Sequence, residues 1–141
     1  SLGSLFMPSG LRLAQRRGFT AHSTIFAFGG AHIIPVIEQK LNPEMNPIAL
    51  KLTLNFFANL ASLHDPKIHL ASLQGPFLAI YGDQDEVFPK ESSLLQYDLL
   101  QGDKEIFWVK GSHIDTNKPD VIKDTMDKVL EFLNRTNFFS K

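Results

Sequence analysis

Three short apolar runs, each followed closely by glycine, constrain this chain more than any other feature. They are Ile25-Phe26-Ala27-Phe28 before Gly29-Gly30, Phe77-Leu78-Ala79-Ile80-Tyr81 before Gly82, and Ile106-Phe107-Trp108-Val109 shortly before Gly111. None alternates polar with apolar residues, as a strand with one wet face would. Helical patterns precede, separate and follow them. Strands apolar on both faces and joined through helices specify a parallel sheet covered on both sides, so the expected class is α/β.

The elements follow from local signals. Residues 4–17 read as a helix carrying Leu5, Phe6, Leu11, Leu13 and Ala14, with Arg16 and Arg17 opposing its C-terminal dipole and Gly18 ending it. Pro8 is tolerated if that helix begins near it. A strand over 23–28 comes next. Residues 31–75 then change character, and Pro35, Pro43 and Pro47 punctuate two helical stretches. The second, over 48–63, sets Ile48, Leu52, Phe56, Leu60 and Leu63 on one side, with Leu54 and Phe57 widening the arc. It reads either as a buried helix or as a lid over an apolar pocket. Strand 76–81, helix 90–101 between Pro89 and Gly102, strand 105–109 and helix 120–134 complete the pattern. The last helix, with Pro119 near its start, is expected to bury Val121, Ile122, Met126, Val129, Leu130 and Leu133.

Composition removes several function classes. The 141 residues are 43% apolar and 21% charged, which suits one globular domain with its own core. A net charge of −1 gives nucleic acid or an anionic membrane surface little to attract. No run approaches the roughly 18 apolar residues of a membrane span. Cysteine is absent, which excludes thiolate nucleophiles and zinc–sulfur sites and fits a reducing, cytoplasmic setting. No metal-ligand spacing such as His-x-x-Glu-His occurs, so neither metal nor cofactor is expected. The N-terminus lacks the basic region of a secretory signal and opens on Ser1 rather than Met, which fits a segment of a longer gene product.

The chemistry gathers where strands end. In open α/β sheets that carboxyl edge is where ligands bind. Asp85 closes the string Gly82-Asp83-Gln84-Asp85 after the second strand, and His113 closes Gly111-Ser112-His113 after the third. An acid that orients a histidine makes two thirds of a nucleophilic triad. Asp83 reads as the turn residue and Asp85 as the functional one. Asp115 reads as a loop cap, because as the acid it would have to double back onto its neighbour. His32, beyond Gly29-Gly30-Ala31, also falls at a strand end, whereas His22, His64 and His69 show no pattern and read as solvated.

Together these residues resemble the C-terminal half of an α/β-hydrolase, nearest the esterase, monoacylglycerol-lipase and lysophospholipase branch. Ser1-Leu2-Gly3 matches the last three positions of that family's Gly-x-Ser-x-Gly elbow, and a helix follows as it should. The resemblance implies Ser1 as nucleophile, Asp85 as acid, His113 as base and the backbone N–H of Leu2 as an oxyanion donor. It also implies a cap within 31–75 and a small ester, thioester or lipid-like substrate. The apolar residues Leu52, Leu54, Phe56, Phe57 and Leu60 suggest an apolar acyl group. The earlier strands of the fold and its second oxyanion donor lie upstream of any residue here, so a complementing N-terminal half or a homodimer is the expected partner. Two rival readings remain. Asp83-Gln84-Asp85 resembles the opening of haloacid-dehalogenase phosphatases, where Asp83 would attack phosphorus beside Mg²⁺. Alternatively, the chain is a non-catalytic hydrolase-like module that pairs through the edge of strand 23–28 or where the missing central strands belong.

Overall fold

The structure is a computed structural model that describes residues 2–31, 46–62, 64–113 and 118–139. Its elements run α1 (Leu2–Arg16), β1 (Thr24–Ala27), α2 (Pro47–Ser62), α3 (Pro66–Leu70), β2 (Phe77–Gly82), α4 (Lys90–Leu99), β3 (Lys104–Val109) and α5 (Pro119–Arg135). The strands form one parallel sheet in the order β1-β2-β3, with Thr24 opposite Phe77 and Phe77 opposite Lys104. β2 is central and buried along its whole length, which is why its sequence carries no polar alternation.

Side chains divide between two layers by strand parity. Phe26 and Phe77 join Leu70, Leu73 and Leu100 beneath α1 and α4, with Met7, Leu11, Leu95 and Leu99 packed against them. Leu78, Ile80 and Val109 point to the opposite side and meet Phe132, Val121, Val129 and Leu133 of α5. Phe28 breaks the parity. Regular extension would put it on the same side as Phe26, yet it belongs to the α5 layer. Its φ of 52° explains the switch, because a left-handed residue turns the chain and redirects the ring.

Polar contacts lock α4 to the sheet. The Tyr81 hydroxyl donates to Gln96 Oε1 at 3.0 Å, and Ser93 donates to the Gly29 carbonyl at 3.2 Å. Burial pushes the Tyr81 hydroxyl far above its ordinary range, with Tyr97 and Asp98 adding to the effect, so it remains a donor. Gly29 is required here: a Cβ would stand 2.3 Å from Ser4 Oγ, so only glycine lets the first turn of α1 approach the end of β1. On the other side, Lys128 and Arg135 pair with Glu105, and Arg135 also pairs with Asp103. Lys128 and Glu105 are half-buried, whereas Arg135 and Asp103 are exposed, and the exposed pair adds little stability.

Three expectations need correction. Pro8 lies inside α1 rather than at its start, because the helix begins at Leu2. On α2 the buried-helix reading fails where it can be followed: Ile48, Leu52 and Phe56 are exposed, and the side chains of Leu60 and Leu63 lie outside the described residues. Ala49, Leu50, Thr53, Leu54 and Ala58 are the half-buried side instead. On α5 only part of the expected face is covered: Ile122, Met126 and Leu130 are exposed, while Phe132 is fully buried. The apolar stripe is wider than the sheet beneath it.

Candidate active site

Asp85 and His113 meet. His113 Nδ1 lies 2.8 Å from Asp85 Oδ2, with the Asp85 side chain 2% exposed and that of His113 20% exposed. A carboxylate can only accept, so in the neutral imidazole the proton sits on Nδ1 and the lone pair on Nε2. The other Asp85 oxygen, Oδ1, accepts from the backbone N–H groups of Val87 at 2.7 Å and Phe88 at 2.9 Å. One carboxylate therefore fixes the loop leading into α4 and the orientation of the imidazole.

The two loops are clasped together beneath this pair. Gly111 N–H donates to Asp83 Oδ1 at 2.7 Å, and Gln84 N–H donates to the Gly111 carbonyl at 3.0 Å. Asp83 is thus more than a local turn residue, because it holds the loop that carries His113. Gly82 permits the close approach. A Cβ there would stand 2.7 Å from the Ser112 carbonyl oxygen and 2.8 Å from that of Gly111. Gly82→Ala must displace this backbone and with it His113. The expected outcome is a destabilisation of about 1–3 kcal/mol, as for overpacking, together with loss of the His113–Asp85 imidazole proton resonance by NMR.

Two aromatic rings flank His113: Phe28 edge-on with centroids 5.6 Å apart, and Phe88 tilted at 6.0 Å. Sequence reasoning assigned neither ring to the site. An aromatic residue at a strand end reads as core, and only the left-handed conformation of Phe28 reveals that its ring serves the loop instead. Backbone strain of this kind collects at functional sites.

The remaining sequence-derived candidates fall as follows. Leu2 opens α1, so its N–H is among the amides that a helix leaves without an intrahelical acceptor. The first turn of α1 lies against the carboxyl end of β1, since Ser4 abuts Gly29, next to Phe28. Ser1, His32 and Asp115 lie outside the described residues. The other three histidines do have partners. His22 Nε2 contacts the Thr136 carbonyl at 2.6 Å, His64 Nδ1 contacts Ser9 Oγ at 3.1 Å, and His69 Nδ1 lies 3.4 Å from Arg12 Nη1. All three contacts lie outside the Asp85–His113 pair. Among the described residues, no group of three or more His, Asp or Glu side chains converges as metal ligands would.

No protein-family model matches the sequence, and no curated protein does. Solved structures do. A monoacylglycerol lipase from Paleococcus ferrophilus aligns over 96% of this chain and 66% of its own, with a TM-score of 0.58 and 18% identity. An enol-lactonase from Burkholderia xenovorans aligns over 95% of this chain and 63% of its own, with a TM-score of 0.56 and 15% identity. The chain has part of the α/β-hydrolase fold. It spans just under two thirds of the length of these two α/β-hydrolases. Within the α/β-hydrolase fold, Asp85 and His113 follow two successive parallel strands, at the edge of the sheet where β1 also ends. No described helix is long and apolar enough to cross a membrane.

Proposed function

We propose that the protein is a serine hydrolase of carboxylic esters or thioesters, with Ser1 as nucleophile, His113 as general base and Asp85 as the acid that orients it. The observation that carries this reading is the 2.8 Å contact between His113 Nδ1 and a carboxylate oxygen of a buried Asp85 side chain. With Nδ1–H engaged, Nε2 accepts the serine proton as the hydroxyl oxygen attacks the acyl carbon. The tetrahedral oxyanion is stabilised by backbone N–H groups at the start of α1, that of Leu2 among them. Collapse breaks the bond to the leaving group, which takes the proton from the imidazolium. Water then repeats the sequence on the acyl-serine and releases the acid. Phe28 and Phe88 line the approach to His113 and favour an apolar acyl group. In this reading residues 31–75, inserted between β1 and β2, are the cap.

A second reading has its own support. β1 is paired only with β2, so its other edge is open among the described residues, and α5 exposes Ile122, Met126 and Leu130. Such surfaces favour a complementing chain or a second copy. One experiment separates the two. A fluorophosphonate probe followed by peptide mass spectrometry is expected to give an adduct on Ser1. A folded protein that leaves Ser1 unlabelled overturns the hydrolase reading and, if light scattering finds it assembled, supports the pairing module.

A further inference from the structure

Helix α1 has two unlike faces. Ser4 and Pro8 are buried, and Met7 and Leu11 pack on the core, all on the side that meets the sheet. Away from the sheet, Phe6, Ser9, Gly10, Arg12, Leu13 and Arg16 line an open groove of about 380 Å³, completed by His64 just before α3 and His69 within it. The residues around His113 take no part in it. Its volume lies within the range of small-molecule sites.

We propose that this groove binds an amphiphilic carboxylate, a carboxyl head on an unbranched apolar body. The charge argument is local. Among the described residues the lining carries two guanidinium groups, two imidazoles and no acid. No Asp or Glu precedes Glu38, although the chain as a whole is at −1. Neither Arg12 nor Arg16 is held by a carboxylate among the described residues. Arg12 is nevertheless fixed in place, because its Nη1 donates to the Ile68 carbonyl at 3.2 Å. Its remaining N–H groups form a planar fork that matches the two oxygens of a carboxylate.

The apolar argument is independent. Phe6 and Leu13, two turns apart on one helical stripe, are 52% and 51% exposed along the groove, and Ile68 is exposed beside it. His64 stands edge-on to Phe6 at 5.5 Å, closing one end. A bare inorganic anion would use the arginines and leave this surface wet. A neutral lipid would cover the rings and bring no counter-charge to the arginines. An amphiphilic carboxylate satisfies both halves, and the assignment stands apart from the catalytic reading.

The test is titration of the whole chain with decanoate, monitored by calorimetry and by ¹H–¹⁵N NMR, with decanol and inorganic phosphate as controls. Saturable decanoate binding is expected, with shifts confined to residues 6–16 and 64–69. Decanol and phosphate should each bind at least about tenfold more weakly. Arg16→Glu, at an exposed position, should weaken decanoate about tenfold or more, which is the scale of one charge-assisted hydrogen bond, and lower the unfolding midpoint only slightly, through the cation lost from the C-terminal end of α1. Equal affinity for decanol, equal affinity for phosphate, or an Arg16→Glu variant that binds like the parent each overturns the proposal. So do shifts centred on residues 28, 88 and 113, which would mean uptake at the catalytic cleft.

Discussion

His113→Ala is expected to lower kcat/KM on a p-nitrophenyl ester by roughly four orders of magnitude, the loss typical when a triad histidine is removed. The same substitution should reduce stability by no more than about 2 kcal/mol, because the imidazole is partly solvated and water can reach the vacated volume. The disparity is what identifies a catalytic group rather than a packing one. It is measured by pairing ester kinetics with a urea midpoint on the same preparation. A parallel fall in both quantities would reduce His113 to a structural residue.

Asp85 allows a sharper dissection, because its two oxygens have separate duties. Asp85→Asn keeps an acceptor for the Val87 and Phe88 amides, so the loop into α4 should persist. The new amide N–H₂ can only donate towards His113. The imidazole must then turn to the tautomer that accepts at Nδ1, and Nε2 loses its lone pair. Turnover should drop by roughly 10⁴-fold with the fold intact. Asp85→Ala removes these loop hydrogen bonds as well, leaves two N–H groups unsatisfied in a part-buried loop, and should cost about 2–4 kcal/mol in addition. Circular dichroism melts combined with ester kinetics distinguish the two variants. Equal stability in both would mean that the two loop hydrogen bonds carry no weight.

Much of this architecture is legible in the chain, for reasons that can be stated. Strands buried on both faces are written as unbroken apolar runs, so 76–81 and 105–109 fall within one residue of β2 and β3. Asp85 and His113 could be found because strand ends in an open sheet collect functional groups, and the structure brings the two together. Packing partners are less visible. Periodicity gives a helix its apolar stripe but not the width of what covers it, which is why Met126 and Leu130 of α5 face solvent. α3 was overlooked although Asp65-Pro66 announces it: Asp65 accepts from Lys67 N–H and the proline occupies the first turn. Phe28 could not have been placed at all, since nothing in a sequence of β-favouring residues foretells a left-handed phenylalanine.

The clasp between Asp83 and Gly111 has a mechanical implication. Parallel neighbours in this sheet are joined only by long crossovers, so their tips have no covalent reason to stay in step. By tying the ends of β2 and β3 directly, it makes the spacing of Asp85 and His113 a property of the sheet's own registry. A slip of one rung between those two strands would separate them, whatever the helices did.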